Sequence, residues 1–293
     1  MFREDDSRDQ GVGTPRDLSR DTKRTDDALT RHLALPDGRD REPVGDYRLR
    51  GSEVRTLATV GAFRLVPRGD LERQSVTTAR ELDRLRQEGL IATTPYMIGR
   101  RRTTIVTLTR EGLELLEQHR RDCRPDELQA FYSGVAKARE LAHDSRVFAA
   151  YIQAQERITI DGGKVRRVVL ETQLKREYQQ FLQQPNRGRR ESSGIPRHDP
   201  EAIALWASER GLPLIDGSVR FPDARVEYER PDGTLEREDL EVVTEHYRGA
   251  HAAATAAAGF HCGRCSSAKV AGARSATRSG RPRHERLAEE MLR

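Results

Sequence analysis

The chain has 293 residues, of which 34% are charged and 5% aromatic, and its formal net charge is +5. This length suits about two domains, and the basic balance permits an acidic partner such as nucleic acid. No apolar run reaches the roughly 20 residues of a bilayer span and no hydrophobic signal segment is seen, so we expect a cytoplasmic protein with no membrane partner. The three cysteines are too few for a disulfide framework, in agreement with a reducing compartment.

Residues 1–45 are predicted to be a disordered tail. They mix Arg, Asp, Thr, Gly and Pro with almost no apolar periodicity. Such a segment buries too little apolar surface to offset the entropy that is lost on ordering. Order is therefore expected to begin near Tyr47.

Two helices are predicted between residues 46 and 74. Ser52 is the candidate N-cap of the first, because its hydroxyl can accept a hydrogen bond from an amide of the first turn. Apolar positions then recur at helical spacing over residues 54–61. Residues 65–67 are interpreted as a turn, and Asp70 as the cap of a short second helix over residues 71–73.

A third helix, with one apolar and one cationic face, is predicted over residues 75–88. Ser75 is its candidate cap, and Ala79, Leu82 and Leu85 fall on one side at helical spacing. The opposite side is polar and cationic, as an element in the major groove needs to be, because hydrogen bonds read base edges and Arg or Lys binds phosphates. An ordinary amphipathic surface helix is the alternative. The residues expected to approach DNA are Thr77, Thr78, Arg80 and Arg84.

A basic β-hairpin follows this helix. Residues 90–98 and 103–109 have the β-branched and aromatic content of two strands, and Gly99 supplies the turn. The tip carries Arg100, Arg101 and Arg102. Three adjacent like charges are most often simply solvated, but beside a cationic helix they can also meet phosphates or a narrow minor groove.

These residues carry a resemblance to a known family. The segment LIATTPYMIGRRRTTIVTLTREGLELLE, residues 90–117, resembles the wing and following helix of MarR-like winged-helix proteins, in which a Leu-Thr pair and a later Gly follow the wing. Here these are Leu108, Thr109 and Gly112. The resemblance implies that residues 46–122 form a winged-helix domain, that residues 75–88 are its recognition helix, and that double-stranded DNA is its partner.

A second, α+β domain is predicted over residues 123–265, after a boundary at Arg124-Pro125. Residues 183–198 are expected to be a mobile loop, and residues 266–293 a basic flexible tail with a short terminal helix. The predicted elements are helices over 144–155, 174–182, 200–211 and 247–258, and strands over 165–170, 219–229 and 235–244, the last two joined by the turn Pro231-Asp232-Gly233.

Two carboxylates of this domain form a candidate metal site. Asp223 and Glu241 lie on successive strands, where paired carboxylates can hold a divalent ion that activates water for phosphodiester cleavage. Pro222, Asp223 and Glu241 resemble the core of PD-(D/E)xK nucleases, and the whole layout is similar to the replication-relaxation family of mobile genetic elements.

The nuclease pattern is incomplete in this chain. In the family a lysine lies two residues after the second acid, and here that position is Val243, which carries no charge. We therefore expect a nuclease-like domain without catalysis and without a cofactor. The alternative function is a metal-dependent nuclease, which would bind Mg²⁺ through Asp223 and Glu241. In that case Lys175 or Arg248 would supply the positive charge that Val243 lacks.

Two further clusters contain residue types found at functional sites, but neither is expected to form one. Cys262 and Cys265 form a Cys-x-x-Cys pair, but the second close-spaced pair that is usual at structural zinc sites is missing, so no metal site is expected. His143-Asp144 could be a histidine oriented by a carboxylate, but no nucleophile lies near it in the sequence, and it is interpreted as a helix start. The residues that could complete four ligands with the cysteine pair are Cys123, His246 and His251.

We thus predict an α+β protein that binds double-stranded DNA in a sequence-dependent way, as a transcriptional regulator or as a replication or maintenance factor of a mobile element. The C-terminal domain is expected to form a homodimer or to bind a partner. The alternatives from other classes are the nuclease and a protein whose winged helix binds another protein.

Overall fold

Seven helices and four small sheets form a mixed α/β fold in the described part of the chain, consistent with the predicted α+β class. The structure is a computed structural model that describes residues 28–74, 76–98, 101–122, 127–134, 141–184, 199–242 and 261–263. None of the helices in these ranges has the length and apolar character needed to cross a membrane.

The first half alternates helices with an antiparallel sheet. A short hairpin, β1 and β2, precedes α1, and the strand order of the main sheet is β3-β5-β4. The elements are β1 Glu42–Val44, β2 Tyr47–Leu49, α1 Gly51–Ala62, β3 Leu65–Pro67, α2 Arg68–Arg73, α3 Ala79–Gln87, β4 Ile91–Ile98, β5 Arg101–Leu108 and α4 Arg110–Gln118.

The predicted hairpin is confirmed, and its sheet has a third strand. β4 and β5 pair without a register shift from Ile91↔Leu108 to Ile98↔Arg101. Residues 65–67, which were expected to be a turn, form β3 and pair with β5 through Val66↔Val106. Three residues are too few to display the alternation of a strand, so only the partner strand reveals it.

The expectation of disorder before Tyr47 is wrong for residues 28–45, while residues 1–27 lie outside the described part. Ala28, Leu29 and Leu33 are buried, and Leu33 forms a β-bridge with Arg120. These apolar residues show no helical or strand period because their partners lie elsewhere in the chain. Long-range burial, rather than local pattern, orders this segment.

Several helix starts differ from their predicted positions. α1 begins at Gly51, so Ser52 is not its cap, and the backbone N–H of Arg50 donates to the Glu53 carboxylate at 3.1 Å. α2 begins at Arg68, which places Asp70 inside its first turn instead of at its cap. Each predicted start differs by a few residues, since the capping residue types also occur within first turns.

The second half is a four-stranded sheet covered by helices. The strand order is β11-β10-β9-β6, in which only the β10–β11 pair is parallel. The elements are α5 Leu141–Ile160, β6 Lys164–Leu170, α6 Glu171–Gln183, α7 Pro200–Glu209, β7 Leu214–Ile215, β8 Ser218–Val219, β9 Ala224–Glu229, β10 Leu235–Val242 and β11 His261–Gly263.

Local signals located most of these elements. The Asp199 side chain accepts from the Ala202 N–H at 2.6 Å with Pro200 at the first helical position, as predicted. α5 begins at Leu141, so Asp144 lies in its first turn and is not its cap. Residues 219–223, expected at the start of a long strand, lie in β8 and in the connection to β9. The predicted helix over 247–258, most of the predicted loop and the basic tail lie outside the described residues.

Hydrophobic packing is continuous between the two halves. The Phe63 ring, after the end of α1, lies 5.1 Å from the Phe148 ring and 4.8 Å from the Tyr151 ring of α5, measured between centroids. The buried side chain of Gln129 exchanges two hydrogen bonds of 2.9 Å with the backbone of Val168. The two predicted domains therefore share one core, although the boundary itself falls among residues that are not described.

Candidate nucleic-acid interface

Helix α3 is attached to the core by a short apolar stripe. Leu82 and Leu85 are buried, as predicted, whereas Ala79 is exposed. The helix begins at Ala79 and is capped by Thr78, whose hydroxyl accepts from the Glu81 N–H at 3.3 Å. The predicted cap, Ser75, lies outside the described residues. The spacing Thr78-x-x-Glu81 is a capping-box pattern, and it is the signal in the sequence that identifies this start.

A buried carboxylate locks the N-terminus of α3 onto α1. Glu81 accepts from the Arg50 guanidinium at 2.8 and 3.1 Å, from the Ser52 hydroxyl and from the Thr78 N–H at 2.7 Å. Burial, the largest influence, raises the pKa of Glu81, but the hydrogen bonds from Ser52 and Thr78 and the charge of Arg50 outweigh it and hold that pKa at about 2. The carboxylate is therefore ionised at neutral pH.

A second buried carboxylate lies beside it. Glu53 is fully buried and accepts from the Arg41 guanidinium at 2.7 and 3.2 Å. The Arg84 Nε atom lies 3.7 Å from Glu53, and its Nη2 atom lies 2.7 Å from Glu88. Breaking such a buried pair costs several kcal/mol because one charge is left without its partner. The two carboxylates thus fix the orientation of α3 relative to α1.

The exposed face of α3 differs in part from the predicted one. Thr77 is buried, and its hydroxyl lies 3.4 Å from the Glu81 carboxylate, so its predicted outward direction is wrong. Thr78 is used as the cap. Arg84 is about one third exposed and is turned toward Glu53 and Glu88. The exposed residues of the helix are Ala79, Arg80, Asp83, Arg86 and Gln87.

The β4–β5 hairpin lies next to α3. Arg102 is exposed on β5, opposite Met97, whose side chain is also exposed. Arg100 and the side chain of Arg101 lie outside the described part. Within the described residues, Arg80, Arg86 and Arg102 form no ion pair, in contrast to the paired Arg84. Three cationic side chains on two adjacent elements therefore have their charge available to an external anion.

The acidic residues of the second half lie at a separate cleft. Asp223 accepts from the Val242 N–H at 2.7 Å with one carboxylate oxygen, and the other oxygen lies 3.1 Å from His143 Nε2. Glu241 is buried on β10. Within the described residues, no group of three or more His, Cys, Asp or Glu side chains is arranged to hold a metal ion. Cys123, Cys265, His246, His251 and the side chain of Cys262 lie outside those residues.

His143 was interpreted from the sequence as part of a helix start only, whereas the structure places its side chain in this cleft beside Asp223. Its Nδ1 atom lies 3.3 Å from Asp144, and the cleft that it lines with Asp223 and Lys175 has a volume of about 380 Å³. Hydrogen bonding to Asp144 and then to Asp223 raises the pKa of His143 to about 10. Since 80 residues separate His143 from Asp223, no local pattern could have indicated the pair.

This pair predicts a pH dependence of stability. Because the pKa of His143 is 6.5 when unfolded and about 10 when folded, its stabilising effect is complete below pH 6.5 and is lost as the pH rises through 10. The difference in urea midpoint between the wild type and His143→Gln should therefore shrink from pH 6.5 to pH 10. The matched control is His119→Gln, at the residue that caps the C-terminus of α4. A difference that stays constant over this range would contradict the assignment.

Comparisons of the chain with protein-family models, with curated proteins and with solved structures each find no match.

Proposed function

We propose that this chain binds double-stranded DNA through a winged-helix domain of the MarR-like type, with α3 in the major groove and the β4–β5 hairpin as the wing. The observation that carries the proposal is that an anchored helix lies beside a hairpin and that both carry arginines with no ion pair to any described residue. Arg80 and Arg86 on α3 and Arg102 on β5 supply the charge. The element order α1, β3, α2, α3, β4, β5 and the three-stranded sheet β3-β5-β4 support the same assignment.

The buried network supports the proposal energetically. A helix that enters a groove must keep its position while its outer face exchanges water for base edges. Glu81 holds α3 against α1 by charge-assisted hydrogen bonds, which are about twice as strong as neutral ones, and Glu53 lies 3.7 Å from the Arg84 Nε atom of α3. Arg50 and Arg41 are each about one third exposed beside them. Their charges are matched by Glu81 and Glu53, so they position the helix without adding net positive charge.

The biological role that we propose is that of a transcriptional regulator or of a replication or maintenance factor of a mobile element. The second half would then supply a homodimer contact or a partner surface. Its sheet and its helices share a core with the DNA-binding half through Phe63. A partner that binds the second half can therefore influence the orientation of the first.

The salt dependence of duplex binding tests the proposal. Each arginine that neutralises a phosphate contributes about 0.9 to the slope of log affinity against log salt concentration. The triple variant Arg100→Ala, Arg101→Ala, Arg102→Ala should lower this slope by about 0.9 for each phosphate that is no longer neutralised, measured by fluorescence anisotropy on a random-sequence duplex. The matched control is Arg176→Ala, an exposed arginine on α6. It should leave the slope unchanged.

Two outcomes would decide against parts of this proposal. An unchanged slope in the triple variant removes the hairpin from the interface. If the wild-type protein fails to bind any duplex at low salt, DNA binding itself is removed, and the protein-binding alternative is favoured.

A metal-dependent nuclease is the second candidate, and one observation favours it. Lys175 lines the same cleft as Asp223, where it could replace the lysine that is missing at Val243. Against it, both oxygens of Asp223 are engaged, by His143 and by the Val242 N–H. Incubation with supercoiled plasmid and Mg²⁺ or Mn²⁺ separates the two functions. Nicking that Asp223→Asn abolishes would support the enzyme, whereas binding without nicking supports the regulator.

A further inference from the structure

An acidic residue lies at the centre of the exposed stripe of α3. Successive residues of a helix are about 100° apart, so Asp83 points away from the buried side chains of Glu81, Leu82 and Leu85. Its side chain is 52% exposed, and Arg80 and Gln87 lie beside it on the same stripe. Asp83 is thus one of the outward-facing positions of the proposed recognition helix, together with Arg80 and Gln87.

A carboxylate at this position is unfavourable for binding to a polyanion unless it accepts a hydrogen bond from the DNA. The DNA phosphates repel the Asp83 carboxylate. A helix that contacted only the phosphate backbone would bind more tightly with a neutral or basic residue at this position. The major groove offers carboxylates one preferred partner, the exocyclic N4 amino group of cytosine. The charge of Asp83 therefore favours contact with a base edge over contact with the backbone.

A neighbouring arginine attracts the Asp83 carboxylate but does not use its capacity to accept hydrogen bonds. The Arg68 Nη1 atom lies 3.7 Å away, beyond hydrogen-bond distance, while the Nε atom of Arg68 donates to Glu72 at 2.9 Å. Among the described residues, no donor forms a hydrogen bond to either oxygen of Asp83. Arg68 is thus close enough to orient the carboxylate by charge, and both oxygens remain able to accept.

We propose that Asp83 reads a cytosine, which makes the protein specific for a G·C pair at one position of its target duplex. This inference rests on the proposed DNA-binding function and names its specificity determinant. Arg80 and Gln87 lie about 4.5 and 6 Å from Asp83 along the helix axis, which corresponds to neighbouring base pairs. Their preferred partners in the major groove are guanine for arginine and adenine for glutamine.

The test is a selection of bound duplexes from a randomised library, carried out with the full-length wild type, Asp83→Asn and Glu114→Gln. The wild type should select cytosine at one position and prefer it about 5- to 150-fold over other bases there, the usual range for one mismatched base pair. Asp83→Asn keeps the shape of the side chain but should select adenine at that position, because the asparagine amide pairs with adenine. The affinity of this variant for random duplex should rise, because a charge that the phosphates repel is removed. Glu114→Gln, which removes an equally exposed carboxylate on α4, should leave every preference unchanged.

Each outcome is decisive. Identical preferences in the wild type and Asp83→Asn would overturn the inference. Wild-type binding without any base preference would overturn it too, while the proposed duplex binding would stand. No binding by the wild type would remove both. Asp83→Ala gives a second variant, which should lose the cytosine preference without gaining adenine, and thermal melting by circular dichroism establishes that each variant is folded.

Discussion

Replacing Glu81 with glutamine should lower the free energy of unfolding by about 3 kcal/mol at pH 7. The pKa of this carboxyl group falls from 4.5 in the unfolded chain to about 2 in the folded protein, and each pKa unit corresponds to about 1.4 kcal/mol. Glutamine has the same shape, but it leaves the Arg50 guanidinium without its anionic partner. Chemical denaturation followed by far-UV circular dichroism measures the loss.

The pH dependence identifies the carboxylate as the cause. Because the folded pKa is depressed, the contribution of Glu81 is complete above pH 4.5 and is lost as the pH falls toward 2. The difference between wild type and Glu81→Gln should therefore shrink over that interval. Glu114→Gln, which breaks an exposed pair with Arg110 at 2.7 Å, should cost clearly less, because water screens exposed ion pairs. Equal losses in the two variants would mean that the buried network contributes no more than a surface ion pair.

Weaker anchoring of α3 should also weaken the proposed binding to DNA. Glu81→Gln weakens the hydrogen bonds from Arg50 and Ser52 that join α3 to α1, because the amide oxygen carries no net charge, while the outward face keeps Arg80 and Asp83. Binding should weaken with little change in the salt slope, since no phosphate-binding group is removed. Such a result would separate residues that position the helix from residues that bind the duplex.

Phe63→Ala should lower the free energy of unfolding by about 3–5 kcal/mol, the range for removal of a large buried ring. Phe63 is 1% exposed and contacts the rings of Phe148 and Tyr151. Phe63→Leu retains most of the apolar volume and should cost clearly less. Equilibrium unfolding in urea, followed by circular dichroism, gives both values.

The single tryptophan makes this variant a test of the shared core. Trp206 lies on α7 in the second half, buried and packed against Tyr178 at a centroid distance of 5.0 Å, whereas Phe63 follows α1 in the first half. If the halves unfold together, Phe63→Ala should shift the Trp206 fluorescence midpoint as far as the circular dichroism midpoint. Trp206 lies in a second apolar cluster with Val169 and Leu174, apart from the one that contains Phe63. A fluorescence midpoint that stays in place would therefore mean that this second cluster unfolds independently of the shared core.

Local patterns in the sequence were sufficient to predict the elements that are stabilised by residues adjacent to them in the chain. The β4–β5 hairpin, the cap at Asp199 with Pro200, and the turn at residues 231–233 were predicted correctly. Each is specified by a few adjacent residues, because turns and caps use side chains within about three positions. The same local signals placed Leu82 and Leu85 on the buried face of α3.

The tertiary structure decided what depends on distant partners. β3 becomes a strand only because β5 pairs with it, and residues 28–45 are ordered because their apolar side chains are buried against the rest of the chain. Thr77 faces inward and Arg84 is paired because Glu81 and Glu53 are buried beside them. His143 meets Asp223 across 80 residues. Spacing along one helix predicts which side chains share a face, whereas the direction in which that face points and the charges it meets depend on the elements packed against it.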